Sequence, residues 1–226
     1  MKALAGHKLP TAYPSRRAWL MISVHDRTGR VVFSSVVLAD LTGDGLPEVI
    51  VGGVDGRVQA FRNTGAHLWT FATGSMAVPS KPSVADIDGD GFPEVVVTTA
   101  DATTQSLFDG GVWVLNHLGQ QQCRYHTGDF NNDGREDGVY STVALADLDR
   151  DDGGRLELVF NGWDGTLTAL HHDCSVYWSL DLRETTWSSV AIGDIDLDGF
   201  PEVVAGVGTH FEGPPHNTEN GGMLHV

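Results

Sequence analysis

The chain of 226 residues carries 30 acidic side chains against 14 basic ones, for a formal net charge of −16 with histidine neutral. No Lys/Arg cluster goes beyond Arg16-Arg17, which excludes the electrostatic footprint of a nucleic-acid binder, and no apolar stretch nears the roughly 20 residues of a membrane-spanning helix. Two cysteines cannot define a disulfide framework, while 28 glycines and 41% apolar residues suit a β-rich chain with a sizeable core.

An acidic loop recurs along the chain. It reads DLTGDGLPE at 40–48, DIDGDGFPE at 86–94 and DIDLDGFPE at 194–202, with a looser copy, DLDRDDGGRLE, at 147–157. The starts at Asp40, Asp86, Asp147 and Asp194 are 46, 61 and 47 residues apart, the spacing of propeller blades or solenoid units. In the second copy Asp86, Asp88 and Asp90 alternate around a tight turn. Gly91 lets the chain curl, the Phe92 carbonyl adds a neutral oxygen, and Glu94 closes the set. An all-oxygen cage of this kind suits Ca²⁺. The same reading gives Asp40, Thr42, Asp44, the Leu46 carbonyl and Glu48 in the first loop, where Thr42 weakens the site. It gives Asp147, Asp149, Asp151 and Glu157 in the third, and Asp194, Asp196, Asp198, the Phe200 carbonyl and Glu202 in the last. An Asx-rich turn without metal is the alternative for any one copy.

The flanks are strands, not the helices of an EF-hand. PSVADID enters the second loop and FPEVVVTT leaves it as a β-branched run. GGVWVLN and QQQCRYH then supply a third and fourth strand. Four short strands per repeat predict an all-β fold of β-propeller blades, each of four antiparallel strands. The expected order is a blade tail at 1–33, blades at 34–73, 82–126 and 141–181, an inserted acidic loop at 127–140, and a partial blade at 187–226. About four blades are represented. They read as part of a larger propeller or as a ring completed by pairing of chain ends, and the open blade edges also allow copies to associate. In the aligned slot of the fourth strands stand Phe33, Trp69, Cys123 and Trp178. The aromatics read as wedges between blades and Cys123 as a buried thiol, with a Cys123–Cys174 bridge the lesser alternative.

The insert carries a fifth candidate. Asp129, Asn131, Asp133, the Arg135 carbonyl and Asp137 repeat the spacing of the main loops, and they form either a further calcium site or a polar turn. Sixteen of the 30 acids lie in the four main loops. Four or five bound Ca²⁺ would bring the charge to an ordinary surface value.

The loops DIDGDGFPE and DIDLDGFPE, each followed by a strand and a Gly-rich turn, resemble FG-GAP repeats, the calcium-binding propeller repeats of integrin α-subunits. GDFNNDGREDGVY resembles the related VCBS repeat of bacterial surface proteins. The resemblance implies that the ion sits in the hairpin between first and second strands, with Asp86, Asp88, Asp90, Phe92 and Glu94 as ligands, and equally Asp194, Asp196, Asp198, Phe200 and Glu202. The departure is Glu where the family commonly closes the loop with Asp. GRVQAFRNTGAHLWTF and GTLTALHHDCSVYWSL also look like quinoprotein-type propeller repeats, a likeness that concerns strand packing. The resemblance implies an extracellular or cell-surface module for protein binding, adhesion or structural assembly, with an unidentified protein or glycan ligand. MKALAGHKLP lacks the apolar core of an export signal, which would lie outside this sequence. The alternatives are a lectin, for which Trp163 and Trp187, read as exposed aromatics in blade loops, are the hint, and an enzyme of polysaccharide lyase or quinoprotein type. No HExxH, CxxCH or nucleophile elbow supports the enzyme, and the expectation is a non-enzymatic chain.

Overall fold

The computed structural model describes residues 24–25, 31–33, 36–74, 77–100, 110–129, 132, 136–150, 153–182, 186–207 and 223–225. Among these there is no helix. Strands β1 (Val24–His25) and β2 (Val31–Phe33) form a two-stranded pair. Three antiparallel four-stranded sheets follow in simple strand order. The first holds β3 (Val36–Ala39), β4 (Glu48–Gly52), β5 (Arg57–Phe61) and β6 (His67–Ala72). The second holds β7 (Ser83–Ala85), β8 (Glu94–Thr99), β9 (Gly111–Leu115) and β10 (Gln121–His126). The third holds β11 (Ala144–Ala146), β12 (Glu157–Asn161), β13 (Thr166–Leu170) and β14 (Val176–Asp181). A three-stranded sheet of β15 (Ala191–Gly193), β16 (Glu202–Val207) and β17 (Met223–His225) completes the described chain. The first strands of successive sheets touch, β3 with β7, β7 with β11 and β11 with β15. These sheets are the blades of a β-propeller.

Packing explains why the middle strands read as unbroken apolar runs. Every residue of β8 and β9 is buried, whereas the outer strand β14 is largely exposed. Consecutive side chains on a strand point to opposite faces, and both faces of a middle strand are covered by a neighbouring blade. Val95 and Val97 pack backward with Ile50, Val58 and Ala60 of the first blade. Val96 points forward to Leu158, Phe160 and Leu170 of the third. Val159 and Ala169 continue the pattern toward Ala205. Each fully buried valine contributes about 1.5–3 kcal/mol relative to exposure.

At the outer rim, Trp69 on β6 packs over the β9–β10 turn of the next blade. A Cβ added to Gly119 would lie 2.5 Å from the Trp69 ring, and Trp69 Nε1 donates to the His117 carbonyl at 3.0 Å. The same slot on β10 holds Cys123, and here the sequence reading is corrected. Cys123 is no free thiol but is disulfide-bonded to Cys174, with Cα atoms 5.9 Å apart. Cys174 occupies the turn position of Gly65 and Gly119 and shares their left-handed backbone, at φ 67° against 83° and 75°. The third blade therefore brings its turn to the second blade at the position where the second brings Gly119 to Trp69 of the first.

The insert is wedged between the second and third blades. Val139 N donates to the Thr99 carbonyl at 3.0 Å, and Trp163 N donates to the Gly138 carbonyl at 3.0 Å. A Cβ at Gly110 would lie 1.8 Å from the Asp137 carbonyl oxygen, so only glycine admits the segment. Trp163, read from the sequence as an exposed loop aromatic, is 3% exposed. Tyr140 and Trp187 cover it, with ring centroids 5.8 and 5.2 Å away.

Candidate metal centre

All four acidic loops join the first strand of a blade to its second, and each is organised by its own carboxylates. In the second, Asp86 Oδ1 accepts from Gly89 N at 2.8 Å and Oδ2 from Gly91 N at 2.9 Å. Asp88 accepts from Asp90 N at 3.0 Å and Asp90 from Phe92 N at 2.7 Å. Glu94 begins β8, fully buried, with Oε2 accepting from Ile87 N at 3.1 Å. Its other oxygen, Oε1, is buried and has no hydrogen-bond partner. Donor oxygens of Asp86, Asp88 and Glu94 gather within 4.8 Å of one another, and those of Asp194, Asp196 and Glu202 do the same in the last loop. There Glu202 accepts from Ile195 N at 2.6 Å, Asp194 from Gly199 N at 3.0 Å and Asp198 from Phe200 N at 2.7 Å. The first, third and ninth positions thus converge, while Asp90 and Asp198 cap backbone amides at Phe92 and Phe200.

The first loop keeps the scaffold. Asp40 accepts from Gly43 and Gly45, each at 2.8 Å, Asp44 from Leu46 N at 2.9 Å, and buried Glu48 from Leu41 N at 2.9 Å. Its acids do not gather into a trio among the described residues. Thr42 stands where the other loops have Asp88 and Asp196, and Arg62 Nη1 lies 3.9 Å from Asp44 Oδ2. In the third loop Asp147 accepts from Arg150 N at 2.7 Å, and Asp149 and Glu157 converge with a residue that the sequence reading left unassigned, His171. Asp151 lies outside the described residues. So do Asn131, Asp133 and Arg135 of the insert. Asp129 is exposed, whereas Asp137 is buried at 2% exposure, and Asp137 N donates to the Gly128 carbonyl at 2.8 Å.

Residues 40–97 match the family model described as FG-GAP-like repeat, and residues 186–226 match that of the FG-GAP repeat. These two stretches are FG-GAP-like repeats. Among solved structures it is similar to BBS1N in complex with ARL6DN, soaked with lead, at TM-score 0.54 and 11% identity, covering 77% of this chain and 50% of that one. A europium-containing methanol dehydrogenase gives TM-score 0.54 and 13% identity over 86% of this chain and 43% of that one. The chain thus spans half or less of these structures, and at such identities the likeness is one of fold. No curated protein matches.

The electrostatics of the second FG-GAP loop follow from its geometry. Burial, and then the neighbouring Asp88, Asp90 and Asp86 carboxylates, push the Glu94 carboxyl up to about 7, against the Ile87 amide that lowers it. Desolvation and like charges disfavour the carboxylate, and a divalent cation among these oxygens reverses both effects. The buried Oε1 without a partner is the atom such an ion would satisfy. The donor set of Asp86, Asp88 and Glu94 therefore fits calcium, which takes hard oxygen ligands. Neighbouring acidic loops also touch. Leu156 N donates to the Ile87 carbonyl at 3.0 Å, and the Arg150 guanidinium lies over the Phe200 ring, 4.8 Å from its centroid. An open cavity of about 600 Å³ between the third and fourth loops is lined by Asp147, Arg150, Asp194 and Pro201.

Proposed function

We propose that this is a calcium-stabilised, non-enzymatic β-propeller module that works outside the cell in protein binding, adhesion or structural assembly. The observation that carries the reading is Glu94, fully buried, with one carboxylate oxygen lacking any protein partner and the oxygens of Asp86 and Asp88 beside it. The last loop repeats the arrangement with Asp194, Asp196 and Glu202. Ions that bind the folded state alone stabilise by mass action, about 2.7 kcal/mol per site at a hundredfold excess over Kd. The Cys123–Cys174 bond supports an oxidising compartment, where such bonds persist.

Thermal melts test the calcium role. The midpoint in about 2 mM Ca²⁺, a concentration suited to extracellular sites of Kd ~10⁻⁴–10⁻³ M, should exceed that in EDTA, and identical midpoints would sink it.

A glycan ligand is the second reading, supported by one surface. Trp187 is 50% exposed and stacks on Tyr140, with centroids 4.6 Å apart and planes at 24°, the kind of flat aromatic face that amphipathic rings offer to ligands. A glycan array probed with the wild type and Trp187→Ala separates it from a purely protein-binding role. Binding that depends on Trp187 supports the glycan reading, and no binding removes it.

A further inference from the structure

The third loop differs from its siblings by drawing in a side chain from another hairpin. Donor atoms of Asp149, Glu157 and His171 lie within 4.8 Å of one another, and His171 Nδ1 is 3.3 Å from Glu157 Oε1. His171 opens the β13–β14 turn. At the corresponding positions the first blade has Arg62, a cation 3.9 Å from Asp44. The second has Asn116, whose oxygen accepts from Leu118 N and Gln120 N inside its own turn. The same station beside the acidic loop is thus a positive charge, a neutral turn cap and an imidazole in three successive blades.

We propose that the third loop is a centre for a divalent transition metal of the zinc class, held by Asp149, Glu157 and His171, and not a copy of the calcium sites. Calcium takes oxygen ligands in sets of six to eight, while imidazole with carboxylates suits zinc, cobalt and their neighbours. With metal bonds of about 2.0–2.2 Å to nitrogen and oxygen, adjacent ligand atoms of a tetrahedron stand roughly as far apart as His171 Nδ1 and Glu157 Oε1. Two carboxylates and a neutral imidazole balance the charge of a dication.

Two of the donors are held before any ion arrives. Glu157 is buried, and its Oε2 accepts from Leu148 N at 2.8 Å, which leaves Oε1 directed at the imidazole. His171 N donates to the Ser175 carbonyl at 2.9 Å and Cys174 N to the His171 carbonyl at 3.0 Å. The ring leans on Tyr177, with centroids 4.8 Å apart. Three residues on, Cys174 is covalently tied to the second blade, so the turn presenting His171 is fixed to the rim.

This inference rests on the reading that the loops are metal sites, yet it can be tested apart from calcium. Zinc binding is measured by calorimetry on the whole chain in about 2 mM Ca²⁺, a level that fills oxygen cages of Kd ~10⁻⁴–10⁻³ M. The wild type is compared with His171→Asn, which installs the side chain used by the second blade. One zinc equivalent should bind despite the calcium. The variant should bind it more weakly by more than the roughly 10- to 100-fold that loss of an outer-shell partner brings, with its calcium-dependent rise in Tm intact. Cobalt in place of zinc should give a visible absorption band that the variant loses. Should His171→Asn not fold, Asp149→Asn gives the same readouts. Equal zinc affinity in wild type and variant, or one-for-one displacement of the zinc by calcium, overturns the proposal. If calcium leaves the melting point unchanged while zinc binding still depends on His171, the calcium reading fails and the zinc centre stands.

Discussion

Cys123 is bonded to Cys174 at the station where the preceding pair of blades seats Trp69 on Gly119. The strand registers establish the equivalence, since Trp69 pairs with Ala60 and Cys123 with Val114, each just after the bulge in its fourth strand. One junction is closed by an aromatic wedge and a hydrogen bond, the next by a covalent bond. A bond spanning 51 residues constrains the unfolded chain by about 4 kcal/mol in the loop-entropy model. Cys123→Ser with Cys174→Ser should lose stability of that order in denaturant unfolding. Cys123→Trp with Cys174→Gly should recover part of it by rebuilding the wedge. A double serine variant as stable as the wild type would show that the bond adds nothing.

Glu94 makes the metal-free protein sensitive to pH. Its folded-state value of about 7 stands above the ordinary 4.5. The stability it contributes is therefore fully present below about 4.5 and is lost as pH rises through about 7. In EDTA, the wild type should lose Tm relative to Glu94→Gln between pH 5 and pH 8. In calcium the trend at this site reverses, because the ion needs the carboxylate and a bound proton competes with it. Parallel Tm curves for the two proteins in EDTA would contradict the burial argument.

The strands and the loop scaffold were legible because they depend on local pattern. Alternating acids, a glycine and a β-branched run make an acidic hairpin wherever they occur, and the middle strands announce two covered faces by runs such as Val95, Val96 and Val97. What escaped depends on contacts between hairpins or blades. The disulfide required knowing that the turn of Cys174 reaches the fourth strand of the neighbouring blade. The positional match of Cys123 to Trp69, and of Cys174 to Gly119, held that signal once the wedge was understood. His171 escaped because it enters the third loop from the far hairpin of its blade, 14 residues beyond Glu157. Comparing it with Arg62 and Asn116 at the same turn position would have raised it. Trp163 looked exposed because its loop is polar, and its burial comes from the insert and from Trp187.

The first loop should be a repairable site. Asp40 and Glu48 keep the backbone hydrogen bonds of their counterparts, and the missing carboxylate is at Thr42. Thr42→Asp should tighten calcium binding at the first loop in calorimetric titration, and Arg62→Ala should add a smaller gain, since exposed ion pairs like that with Asp44 are worth ~0–1 kcal/mol. Asp88→Ala should cost far more calcium affinity than Thr42→Ala, because a charged ligand attracts the ion more strongly than a hydroxyl. Equal losses would mean that Asp88 does not touch the ion.

Gly110 tests how the insert is held. It is the last residue before β9, and a Cβ there would overlap the Asp137 carbonyl at 1.8 Å. That carbonyl is fixed by the Thr127 hydroxyl, while Asp137 N is bonded to Gly128 and Gly110 N to the Glu136 carbonyl at 3.2 Å. The added methyl meets backbone and not a movable side chain, so the insert must shift. The strain belongs with overpacking, typically about 1–3 kcal/mol, and it should fall first on the seam where Val139 bonds Thr99 and Trp163 bonds Gly138. Gly110→Ala should therefore lower Tm and speed amide hydrogen exchange at Val139 and Trp163, while leaving the exchange of Ile50 and Val58 in the first blade unchanged. Unaltered exchange at Val139 and Trp163 would mean that the segment is not anchored through this contact. Faster exchange in every blade would mean that the insert supports the whole propeller and not a single junction.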